Sequence, residues 1–174
     1  MAPDSELDRD TGQWTHLDES GAAHMVDVSG KPWTFRRALA RCQVTIDPRP
    51  RLPEDATVHG AEGLPDALGA LFATARVAGV QASKKTAGLI PLCHPLTGSG
   101  VDVRIAAVPE GISIEAEATT IGPTGVEMEA LTACTFAALS AISVLRDTEQ
   151  RVSIDDLTLW EKSGGRSGAW MRAT

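Results

Sequence analysis

Two alternating segments limit the folds open to this chain more than any other feature. Val101-Asp102-Val103-Arg104-Ile105 alternates apolar and polar residues, as does Ile112-Ser113-Ile114-Glu115-Ala116-Glu117, with Pro109-Glu110-Gly111 between them. A period of two puts the apolar side chains on one strand face and the charges on the other. The pair predicts an antiparallel hairpin with one dry and one wet face. Two helix-length segments can cover the dry face. Leu68, Leu71, Phe72, Ala75, Val77, Ala78 and Ala82 keep helical spacing from Pro65, a favoured first-turn residue, to about Lys85, where Gly88 ends the pattern. Thr124 and Glu127 form a T-x-x-E capping box for a second helix carrying Leu131, Cys134, Ala138, Ala141, Ile142 and Leu145. The expected class is α+β, a ferredoxin-like plait: an antiparallel sheet with two long helices on one face.

His24 to Gly30 predicts a short strand ending in a turn. In residues 33–46 strand and helix compete, because β-branched ends flank an Arg-Ala-rich middle. Residues 47–63, with Pro48, Pro50, Pro53, Gly60 and Gly63, predict a loop, and Ile154 to Trp160 a last strand. Residues 1–12 are expected to be a disordered arm, and 13–174 a single domain, which 174 residues suit.

Charge and composition narrow the partners. The net charge of −7 argues against nucleic acid, because a chain gains affinity for polyphosphate only by releasing counterions to its cations. Aromatic residues make up 4% and tyrosine is absent, so stacking on bases is disfavoured. The three cysteines, Cys42, Cys93 and Cys134, show no C-x-x-C spacing; reduced thiols are expected, and no metal site or cofactor. Neither a signal peptide nor a membrane-spanning stretch is expected, and the predicted location is cytoplasmic. A small anionic ligand in a local basic pocket is compatible with all of this.

The run from Lys84 to Leu96 holds the most concentrated chemistry. Lys84-Lys85 closes the first helix, where the dipole alone would favour them, and Cys93-His94-Pro95 restrains a histidine. Glu127 and Glu129 flank Met128 at the start of the second helix, also a favourable place for carboxylates. Lys162 precedes Ser163-Gly164-Gly165, which is not a P-loop but could hold a phosphate. Each signal alone is met by a structural account.

Taken together these blocks resemble the MoaC family, the cyclic pyranopterin monophosphate synthases of molybdenum cofactor biosynthesis. The blocks are His24-Met25-Val26-Asp27-Val28, Phe72-Ala73-Thr74-Ala75-Arg76, Lys84-Lys85-Thr86 with Leu89 to Leu96, Gly125 to Thr132, and Lys162-Ser163-Gly164-Gly165, from about Trp14 to Gly168. The resemblance implies a ferredoxin-like subunit and a homo-hexamer, a trimer of dimers with interfacial sites. It implies rearrangement of cyclic dihydro-GTP to cyclic pyranopterin monophosphate with loss of pyrophosphate. It places His94, Glu127 and Glu129 among the catalytic positions and Lys84, Lys85, Cys93, Met128 and Lys162 around the substrate.

Three positions depart from the family's pattern. Leu68 stands where the resemblance implies a lysine, and Ser143 and Arg146 where it implies an aspartate and a lysine. Leucine carries no proton, serine no charge, and arginine stays protonated. Asp147 is the nearest substitute carboxylate, and Lys85 a substitute lysine. Three readings follow. The first expectation is a repurposed cyclase or lyase acting on a small, phosphorylated or nucleotide-derived substrate. The alternative is the authentic synthase, and the third a non-catalytic subunit of a mixed hexamer.

Overall fold

A computed structural model describes residues 16–18, 20–48, 57–58, 66–145 and 151–173. The contest between helix and strand in 33–46 is won by strand β1 (Thr34–Asp47), because both of its edges are paired. On one side lies β4 (Gly111–Gly122), and on the other β5 (Arg151–Ser163), both antiparallel. Pairing and same-face packing override a composition that would also suit a helix. The β3–β4 hairpin, with β3 at Gly100–Val108, forms as the alternation requires, in register from Gly100 opposite Thr119 to Val108 opposite Gly111. Short β2 (Thr57–Val58) and β6 (Trp170–Met171) complete the order β2-β3-β4-β1-β5-β6. The inner order β3-β4-β1-β5 is the antiparallel plait expected.

Helices α1 (Asp66–Ser83) and α3 (Glu127–Leu145) pack on each other and on the sheet. The core between the layers includes Ala38, Ala40, Cys42, Val44 and Ile46 of β1, Ile112, Ile114 and Ala116 of β4, and Phe72, Ala130, Ala133 and Ala137 of the helices. Small residues let the helices approach closely: a Cβ on Gly79 would lie 2.7 Å from the Ala133 carbonyl oxygen. The Cys42 and Cys134 sulfurs sit 3.2 Å apart in this core as free thiols. The opposite sheet face is wet and charged. Arg37 grips Glu117 and Glu161, Arg41 grips Glu115, and Arg104 bridges Asp102 and Glu115.

Several expectations need correction. His24–Gly30 forms no named strand; its neighbourhood holds one isolated bridge, Leu17 to Ala23, and a turn in which Asp27 accepts from the Ser29 amide. A strand needs a paired neighbour, and among the described residues this segment has only the single bond from the His24 amide to the His16 carbonyl. The 47–63 loop contains β2. Gly88 does not end the helical region: it lies in α2 (Thr86–Leu89), beyond a turn at Lys84-Lys85. Helix α3 starts at Glu127, so Thr124 is not its cap, and Glu127 is released for another partner. Despite the expectation of no spanning stretch, α3 is long and apolar enough to cross a membrane by composition, with a mean hydropathy of 1.7. Its Ala130, Ala133, Ala137 and Ala141 are buried against the sheet and α1 instead. The expected arm, residues 1–12, lies outside the described residues.

Candidate functional site

The site lies where α3 begins and β5 ends. Register places Lys162 of β5 opposite Ala38 of β1, and its Nζ reaches Glu127 Oε1 at 3.2 Å. The Lys162 side chain is only 12% exposed, so its charge is largely removed from water and the Glu127 carboxylate compensates it. The Glu127 carboxylate folds back over Gly125, where a Cβ would collide with it. A side chain there would push the carboxylate aside and disturb its contact with Lys162.

Glu129 sits two residues further on, 5% exposed. Burial pushes its carboxyl up to about 7, and the neighbouring Glu127 charge adds to the effect, while a backbone hydrogen bond opposes it. A carboxyl poised near neutrality can give and take a proton. It shares a pocket with Ser83, Lys84, Lys85, Pro95 and Ser99. Both lysine side chains are exposed, in the turn after α1. They follow directly on the last turn of α1, which itself carries no basic residue, so the dipole account given from sequence applies to their position as well.

Cys93 and His94 occupy the segment between α2 and β3, half-buried. Leu92 adopts φ 68°, a left-handed conformation that leucine rarely takes and that bends the chain into this corner. Burial and then the Glu129 charge push the Cys93 thiol up, which sets Cys93 beside Glu129. The Ser29 amide and hydroxyl hold the Asp27 carboxyl below its ordinary value, and the charge of His94 adds a smaller contribution. Asp27 of the block His24–Val28 is thus within electrostatic range of the Cys-His-Pro corner, a residue that sequence reasoning did not single out. Met128, between the two glutamates, is half-buried.

Of the three departing positions, the two that are described lie away from this pocket. Leu68 is 9% exposed and part of the apolar core. Ser143 is exposed, its hydroxyl donating to the Ser140 carbonyl at 2.7 Å. It lies fourteen residues beyond Glu129 on one helix, ~21 Å away at about 1.5 Å per residue. Arg146 and Asp147 lie outside the described residues. The geometry therefore gathers Lys84, Lys85, Cys93, His94, Glu127, Met128, Glu129 and Lys162 at one end of the molecule and keeps Ser143 from them. Among the described residues no three His, Cys, Asp or Glu side chains cluster as a metal site. A larger depression on the charged sheet face, lined by Arg41, Trp160 and Arg172, contains none of the site residues.

A profile of the MoaC family matches residues 25–165. A cyclic pyranopterin monophosphate synthase of Thermomicrobium roseum is 48% identical over 160 residues, covering 91% of this chain and 92% of the relative. One from Streptomyces avermitilis is 45% identical over 159 residues, 91% and 89% respectively. Cyclic pyranopterin monophosphate synthase 3 of Mycobacterium tuberculosis is 48% identical over 164 residues, 92% and 88%.

Proposed function

The chain belongs to the MoaC family, enzymes of the lyase and cyclase type in molybdenum cofactor biosynthesis, and on that premise we propose that it is itself a cyclic pyranopterin monophosphate synthase. It would convert cyclic dihydro-GTP to cyclic pyranopterin monophosphate and pyrophosphate. One observation carries the reading: identity of 45–48% runs through about nine-tenths of the chain to relatives that bear this name. The expectation of a repurposed enzyme gives way to this alternative, because the relatives named above at this level of identity all bear that one name.

The pocket supplies what such a reaction requires. Glu129, with its carboxyl near 7, moves protons at the ring atoms. His94 is a second proton carrier, held in the restrained corner. Lys84, Lys85 and Lys162 balance the polyphosphate charge, and Glu127 holds Lys162.

Ser143 and Arg146 would act on a second copy's pocket. A point ~21 Å from Glu129 cannot serve the same pocket within one chain, but a twofold axis would deliver it to the partner's. Exposed apolar side chains on α3 (Phe136, Leu139, Val144) and Val77 on α1 support such an assembly. The assembly is proposed to be a homo-hexamer in the cytoplasm.

The test is mass spectrometry of the purified chain with cyclic dihydro-GTP, following both the pterin product and pyrophosphate. Product no faster than without enzyme would sink the synthase reading. Light scattering at defined concentration tests the hexamer, and a monomer would refute it.

A further inference from the structure

Hydroxyls in the long helices of this chain have an ordinary outlet. Thr74 and Thr135 each donate to the carbonyl four residues back at 2.8 Å, and Ser143 to one three residues back at 2.7 Å. Ser83, the last residue of α1, does not take that outlet. It is 3% exposed, and its Oγ has no hydrogen-bond partner among the described residues. A buried hydroxyl left unpaired costs stability, so its placement carries information.

Packing fixes what surrounds it. Helix α1 lies close on α3 at Gly79, where a Cβ would stand 2.7 Å from the Ala133 carbonyl oxygen. Four residues on along α1 is Ser83, and four back along α3 is Glu129, so both follow that contact by one turn. The two accordingly line one pocket, of about 70 Å³, together with Lys84, Lys85 and Ser99. Thr132, the other unpaired buried hydroxyl of these helices, does not line it. The Thr86 hydroxyl donates to the Ser83 carbonyl at 2.8 Å, and Thr86 is itself buried, so the backbone that carries the serine is held in place.

Charge divides this pocket. Lys84 and Lys85 are exposed and suit phosphoryl oxygens, whereas Ser83 and Glu129 are buried. A carboxylate beside the serine repels phosphate. It accepts readily from a ring N–H, and in its neutral form it donates to a ring carbonyl. The volume also favours a small group: a water occupies about 30 Å³ in the liquid, so the pocket admits the edge of a ring and not a whole nucleotide.

We propose that Ser83 is a specificity-determining residue whose hydroxyl, beside Glu129, hydrogen-bonds the N–H and carbonyl edge of the substrate's heterocycle. The inference rests on the synthase reading for the identity of that ring. The hydroxyl can donate to a ring carbonyl and accept from a ring N–H. In the free chain it is unpaired, and in the complex it is satisfied. Removing it should therefore help the free chain and harm the complex, the reverse of what a structural hydroxyl would do.

The experiment titrates the full chain calorimetrically with two probes: GTP, which carries the guanine edge, and inorganic pyrophosphate, which has no ring. Ser83→Ala is expected to weaken GTP about 3- to 10-fold, the worth of one neutral hydrogen bond, and to change pyrophosphate affinity by less than about twofold. Its Tm should be equal to that of wild type or higher by about 2–4 °C, because an unpaired buried group is gone and alanine is the better helix former. In turnover of cyclic dihydro-GTP it should raise KM by a similar factor with kcat nearly unchanged.

GTP affinity within twofold of wild type in Ser83→Ala overturns the proposal, most plainly if Tm also falls, which would make the hydroxyl structural. Equal losses for GTP and pyrophosphate overturn it too, since the ring would not be what the hydroxyl reads. Should Ser83→Ala not fold, Ser83→Cys, close in shape and a weak donor, decides the matter on the same two probes. A wild-type chain that makes no product, but loses GTP affinity on Ser83→Ala, overturns the synthase reading and leaves the ring contact standing. A wild-type chain that makes product while Ser83→Ala keeps the wild-type KM and GTP affinity overturns the contact alone.

Discussion

Replacing Glu129 with glutamine tests the most specific electrostatic claim. In the folded chain burial raises this carboxyl from its ordinary 4.5 to about 7. Between those values the folded state holds a proton that the unfolded state has lost. Stability from this group is therefore intact below about pH 4.5, declines as pH rises, and is fully lost above about pH 7. The complete shift corresponds to ~3 kcal/mol, and partial screening at the pocket mouth reduces the working figure to ~2 kcal/mol. Glutamine has nearly the same shape and never ionises. Denaturant unfolding of both proteins at fixed concentration should show similar stability at pH 5. By pH 8 Glu129→Gln should be the more stable by ~2 kcal/mol, or about 4–8 °C in Tm for a domain of this size. Taking the difference between the two proteins cancels every other titrating group. The same variant should lose about 10²–10⁴-fold in turnover, so stability and activity move in opposite directions. A difference that stays flat from pH 5 to 8 would refute the argument that burial perturbs this carboxyl.

Leu68→Lys is expected to destabilise the chain by ~3 kcal/mol or more, because it puts an ammonium into the apolar core; thermal unfolding at pH 7 checks it, and a neutral effect would mean that position 68 reaches solvent in the working assembly. Gly164→Ala should cost more than Gly165→Ala, roughly 3 against 1–2 kcal/mol by urea titration, since the first Cβ meets the Phe35 carbonyl and the second only the movable end of Arg36. Gly79→Ala should cost about 1–3 kcal/mol by the same assay, because its methyl group would drive α1 away from the Ala133 carbonyl.

The fold was legible where a pattern has one physical interpretation. The period-two hairpin at 101–117 could bury its apolar face in only one way, and its register follows from the Gly111 turn, where φ is 147° and a side chain would strike the Val44 carbonyl. Residues 33–46 were not legible, since nothing local reveals that both edges will find partners. The T-x-x-E box at Thr124 failed for a related reason. A capping carboxylate competes with any cation that tertiary structure brings near, and Lys162 comes from a strand 35 residues away. In the site, motif blocks identified Lys84, His94, Glu129 and Lys162, but Ser83 passed as an ordinary residue at the end of α1. Only the packing of α1 on α3 shows that its hydroxyl is buried without a partner.

The departures at Leu68, Ser143 and Arg146 first suggested a lost reaction, and the structure changes what they can mean. Leu68 is half of a trade-off: a lysine at that core position would be stable only with an anion or a partner's carboxylate beside it, whereas leucine gains packing without either. Losing a cation there weakens the hold on a polyphosphate unless another cation supplies it. Arg36, which has no carboxylate partner among the described residues, lies against the loop that follows Lys162. Proton transfer, the other duty, needs a group that titrates near neutrality, and neither Leu68 nor an arginine can provide one. Glu129 can, at about 7, and it belongs to one of the sequence blocks that carry the family resemblance. On the proposed synthase reading anion grip and proton transfer fall to different residues, so Lys162→Met should shift KM and Glu129→Gln should shift kcat. If both variants moved the same constant by the same factor, that separation would be wrong.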